Sequence, residues 1–96
     1  MIKTFNKQPR EILDFDFLFA DYLKSRNDSL ASATVTAEPG IVLDSAFVIN
    51  ASFVKVFTSG GTNGQKYLVT CLAVTVGGRV LEAEFYIGVK EISRTV

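Results

Sequence analysis

Two alternating runs that meet at a glycine pair limit what this chain can fold into. Residues 65–76, QKYLVTCLAVTV, put Tyr67, Val69, Cys71 and Ala73 on one row and Leu68, Thr70, Leu72 and Val74 on the other. After Gly77-Gly78, Leu81, Ala83, Phe85, Ile87 and Val89 alternate with Glu82, Glu84, Tyr86 and Lys90. Period two belongs to a β-strand, whose successive side chains point to opposite faces. Two adjacent glycines suit the positive-φ positions of a type I′ hairpin. The two runs are therefore expected to form one long hairpin. Both rows of its first strand carry apolar groups, which predicts little exposure on either side.

The rest of the chain repeats the pattern in shorter pieces. Leu13, Phe15, Phe17 and Phe19 alternate with Asp14, Asp16 and Leu18, as in a half-buried strand. Residues 20–29 break the alternation and predict a loop containing one helical turn. Residues 30–37, LASATVTA, are small or β-branched and predict a strand that ends at Pro39-Gly40. Residues 41–49 fit two short strands or one strand kinked at Asp44-Ser45. In 52–57, Val54 and Val56 share one face while Phe53, Lys55 and Phe57 share the other, so either face could meet the core. SGGTNG, 59–64, predicts a tight connection. Six or seven short strands without a long helix predict an all-β, antiparallel, immunoglobulin-like β-sandwich over 11–90, with a small barrel as the alternative. Residues 1–10, polar and closed by Pro9, are expected to form an extended arm, and 91–96 a tail without period.

Ninety-six residues make one domain, which buries roughly 60–65% of the surface of its unfolded chain. The 48% apolar fraction, with 8 Phe, fills a core without disulfides or metal. Lysine plus arginine and aspartate plus glutamate number 10 each, so the basic excess of a nucleic-acid partner is missing. The first ten residues lack the apolar core of a signal peptide. No apolar run reaches the ~18 residues that a membrane span requires. The expected setting is a cytoplasm, or a particle assembled in one.

Reaction chemistry is not evident. The chain has no His and a single Cys, so Cys71 is expected to be a buried apolar group and not a nucleophile. Asp14 and Asp16 share a strand face about 7 Å apart. They suit a solvated face, or a calcium site if further oxygens gather there. Glu82 and Glu84 predict a solvated face that discourages edge pairing. SGGTNG lacks the Gly-Lys-Ser/Thr and following helix of a phosphate loop. No catalytic residue, cofactor or metal is expected. The candidates for partner contact are Ile2, Phe5, Lys7 and Arg10 on the arm, where apolar groups would gain from being covered, and Tyr86 on an outward face.

NKQPREILDFDFLFADYL (6–23), DSLASATVTAEPGIVL (28–43) and SGGTNGQKYLVTCLAVTVGGRVLEAEFYIGVKE (59–91) follow one another as in a group of small tailed-phage virion proteins, the fiber-tail adaptors, which this chain resembles. The match covers about two-thirds of the chain and departs at Tyr22, where Trp is expected. The resemblance implies a non-enzymatic immunoglobulin-like domain in the virion, present in several symmetric copies where fibers or spikes meet the tail. Its partners would be tail and fiber proteins and copies of itself, with neither nucleic acid nor membrane. A head-decoration protein and a host-surface or glycan-binding module are the alternatives.

Overall fold

The computed structural model describes residues 2–95. In chain order the elements are β1 (Lys3–Lys7), β2 (Leu13–Leu18), α1 (Ala20–Ser25), β3 (Leu30–Ala37), β4 (Ile41–Ile49), β5 (Phe53–Gly60), β6 (Lys66–Thr75) and β7 (Val80–Val89). They form two packed sheets, ordered β1-β7-β6-β3 and β2-β5-β4. The expected β-sandwich is present. It is antiparallel except at β1, which runs parallel to β7 with Lys3 beside Phe85 and Lys7 beside Val89.

The core lies between the sheets. The fully covered row of β6, Tyr67 to Ala73, faces Val54 and Val56 of β5 and Phe17 of β2. Phe85, Ile87 and Val89 complete it from β7. Four phenylalanines meet at one edge: Phe85 stacks on Phe17 with centroids 4.4 Å apart and meets Phe5 edge-on at 5.1 Å, while Phe5 stacks on Phe15 at 5.0 Å. Such rings contribute geometry-dependent attraction beyond their buried area.

The even-odd pattern decides each strand's inner face, and bulges correct it where it drifts. In β4, Ile41 and Leu43 point inward, as does Val48. The register shifts between Leu43 and Ser45, so one extra residue switches the inward row from odd to even. The kink expected at Asp44-Ser45 is this bulge within a single strand. In β5 the ambiguity resolves towards Val54, Val56 and Thr58, which are wholly covered.

Two expectations need correcting. Residues 3–7 are extended, as the arm reading requires, but they form an edge strand of the larger sheet and do not project from it. Phe5 faces inward, so burial of one apolar ring favours the docked position. Deleting residues 1–8 would therefore remove part of the body. The tail, which carries no regular element among the described residues, is tied down as far as it is described. Glu91 N–H donates to Asn63 Oδ1, and Ile92 and Ser93 N–H both donate to Gln8 Oε1. Arg94 forms an ion pair with Glu11. Met1 and Val96, the ends of the expected arm and tail, lie outside the described residues. Finally, the 76–78 turn is one residue longer than a type I′ hairpin. Gly78 N–H donates to Thr75 O and Thr75 N–H to Arg79 O. Of the glycine pair only Gly78 has positive φ, at 86°. That is a turn followed by one left-handed residue, the usual three-residue hairpin loop.

Candidate protein-protein interface

The five residues expected to touch partners do not form one patch. Ile2 is exposed just before β1, and Arg10 is exposed in the turn after Pro9. Phe5 is packed against the core. Tyr86 is half-buried on the opposite, outward face of the β1-β7-β6-β3 sheet, beside Thr4 and Leu68. The Lys66 ammonium lies 4.6 Å from its ring centroid.

Lys7 is expected to contact a partner from an extended arm, but its side chain is fully covered. Its ammonium donates to Gly60 O at 2.6 Å, Gln8 O at 2.7 Å and Pro9 O at 3.3 Å. Three carbonyls match the three donors of an ammonium, which makes the burial tolerable. Desolvation still lowers its pKa below the ordinary lysine value, with Glu11 pulling the other way. The residue clasps β1 to the end of β5 in the other sheet.

The sheet faces carry more exposed apolar surface than the sequence suggested. On β6, Leu72 and Val74 are 44% and 40% exposed, contrary to the expectation of two covered rows, and Val80 lies next to Val74 on β7. The reason is that nothing packs on the outside of this sheet among the described residues. On the other sheet the outward positions of β5, Phe53 and Phe57, are half-buried, flanked by Leu18 and by Phe47, which is 50% exposed. The only sequence signal for this face is that both rows of 52–57 are apolar. A groove of about 220 Å³ opens between β1-β7 and β2, lined by Lys3, Phe5, Asp16, Leu18, Glu84 and Phe85 among others.

The outward charged residues of β2 and β5 are paired with one another. Asp14 and Asp16 lie side by side, as their spacing predicts, but the Lys55 ammonium bridges them at 2.8 and 3.1 Å. The Lys55 hydrogen bond lowers the Asp14 pKa and, in return, Lys55 is raised. An ammonium thus occupies the position a cation would take. Cys71 is buried, and desolvation pushes its thiol up to about 11, away from nucleophilic character. Among the described residues no three potential metal ligands converge. What the surface offers is contact area: two apolar sheet faces and four strand edges on a body stiffened by its core.

The family model described as podophage GP4 fiber-tail adaptor protein gp77 matches residues 7–88. The chain belongs to this family. No curated protein matches it. The gp77 match spans β2 to β7 almost entire and begins at Lys7, so it includes the residue that clasps the two sheets together.

Proposed function

We propose that this chain is a non-enzymatic structural adaptor in the tail of a phage virion, joining tail and fiber or spike proteins through protein-protein contacts. The observation that carries this reading is the gp77 family match over residues 7–88. The exposed apolar faces support it. Phe47 is half exposed, so covering the rest of it contributes about half of the roughly 1.5–3 kcal/mol of full burial, and aromatic residues are enriched at the centres of interfaces. The balanced charge supports protein partners over nucleic acid.

Of the five contact residues read from the sequence, Ile2, Arg10 and Tyr86 keep that role in this proposal. Phe5 and Lys7 hold the strand from which Ile2 projects. Assembly in the host cytoplasm and a place among symmetric copies belong to the same proposal.

The immunoglobulin-like reading has two supports. With β2 to β7 lettered B to G, the sheets run B-E-D and C-F-G, as in a constant-type domain, with the first strand moved beside G. Tyr67, at the start of β6, accepts the Thr62 amide on its hydroxyl at 2.9 Å, as a tyrosine corner does at the same place.

Co-purification with the tail and fiber proteins of the same phage, followed by light scattering, tests the adaptor role. The expected result is a complex with both that Phe47→Asp or Tyr86→Ala weakens without lowering the melting temperature. Failure to bind either partner overturns the proposal.

A further inference from the structure

Four strands have an open edge: β1 and β3 in one sheet, β2 and β4 in the other. Open edges invite pairing with other chains, and proteins usually guard them with charge or bulges. Lys3 guards β1, Asp14 and Asp16 guard β2, and Asp44 with its bulge guards β4. Strand β3, LASATVTA, contains no charged residue, and its bulge sits at the very start, between Leu30 and Ser32.

The phase of its ladder shows which groups are open. Glu38 N–H donates to Leu68 O. The even-numbered residues Ser32, Thr34 and Thr36 therefore bond to β6, opposite Val74, Leu72 and Thr70. Ala33, Val35 and Ala37 turn their N–H and C=O groups outward, and none of these has a backbone partner beyond the sheet among the described residues. The next residue outward does not obstruct them: the Glu38 carboxylate is turned back onto Leu68 N–H at 2.6 Å.

The stretch from 33 to 37 is a palindrome: Ala33, Thr34, Val35, Thr36, Ala37. We propose that β3 pairs antiparallel with β3 of a second copy of this chain, about a two-fold axis through Val35. In that register Val35 faces Val35, Ala33 faces Ala37 and Thr34 faces Thr36 of the other copy. All three open residues fall in hydrogen-bonded pairs, each exchanging two bonds. The threonines form cross-strand pairs on the outer face, a favourable combination, and no charge meets its like. An isologous contact needs a surface complementary to itself, and a palindromic strand supplies it. Two sheets of four then become one of eight, closed on this side because each copy has used its β3. Pro39 ends the pairing, having no N–H to give.

Sedimentation of the purified chain across a concentration series tests this, together with hydrogen exchange at the amides of Ala33, Val35 and Ala37. The wild type should form a dimer, and these three amides should gain protection as it forms. Thr34→Lys with Thr36→Lys puts like charges opposite one another on exposed positions and should weaken the dimer at least about tenfold. Thr34→Glu with Thr36→Lys places each Glu against the other copy's Lys and should restore it. Melting curves for both variants verify that the fold survives. Three outcomes would overturn the proposal: a wild type that stays monomeric, a dimer indifferent to the double-lysine change, or amides protected only when tail or fiber proteins are added. The measurement needs the isolated chain alone, so its failure leaves the adaptor reading standing.

Discussion

The Lys7 ammonium makes three hydrogen bonds to main-chain carbonyls in a place water does not reach. Replacing it with Met keeps most of the volume and removes every donor. The carbonyls of Gln8, Pro9 and Gly60 would lose this partner, and an unsatisfied buried polar group costs about 1–3 kcal/mol. Lys7→Met should lower stability by that order in chemical denaturation, with hydrogen exchange in β1 rising first. A loss within error would show that the clasp contributes little. The sequence gives no hint of this role. A lysine is seldom buried, and its partner Gly60 lies 53 residues away. Asp14 and Asp16 are the counter-example: their shared face follows from local spacing alone, whereas Lys55, which bridges them, enters through the β2–β5 register.

The elements divide in the same way. Strands β2 to β7 were legible because alternation is a local property, and the β4 bulge was legible as a kink because Asp44 and Ser45 interrupt it. β1 was not, because KTFNK has one large apolar residue and finds its partner at the far end of the sequence. The hairpin loop was half legible. Two glycines mark the turn, but its form is fixed by Asp28, whose carboxylate accepts Gly77 N–H at 2.9 Å and pairs with Arg79 at 2.8 Å. The Thr75 hydroxyl contributes most to holding that carboxyl well below the usual aspartate range, joined by the Ser29 and Gly77 amides and Arg79. The two glycines should therefore respond differently to alanine. At Gly78 a Cβ meets nothing within 4 Å, so only the positive φ resists, and Gly78→Ala should cost about 1 kcal/mol. At Gly77 a Cβ would stand 2.9 Å from Asp28 Oδ2 and from the Arg79 guanidinium, so these paired side chains must shift. Melting curves with and without added salt separate the cases: the Gly78 variant should keep the wild type's salt response and the Gly77 variant should lose part of it.

For the whole molecule the informative variable is pH. Glu11 joins the segment after β1 to the tail through Arg94, and that pairing, with the Gln8 N–H, lowers its pKa to about 2 from an ordinary 4.5. The folded state thus holds the carboxylate deprotonated more firmly than the unfolded chain does. Its contribution is complete above about 4.5 and is lost as pH falls towards about 2. Ile92 and Ser93 amides should lose exchange protection across that window while β6 amides do not, and Glu11→Gln should show the exposed tail already at neutral pH. A tail that stays protected in this variant would mean that Gln8 alone holds it.

Because β1 runs parallel to β7, the geometry also has a mechanical consequence. Tension applied ahead of Lys3 and beyond Val89 slides the two strands past each other, so their five register pairs bear the load together. Handles placed at the neighbouring ends Lys3 and Phe85 would instead peel the pairs apart in succession. In an optical trap the first arrangement should rupture at clearly higher force, making the domain hard to stretch along the line between its two chain ends.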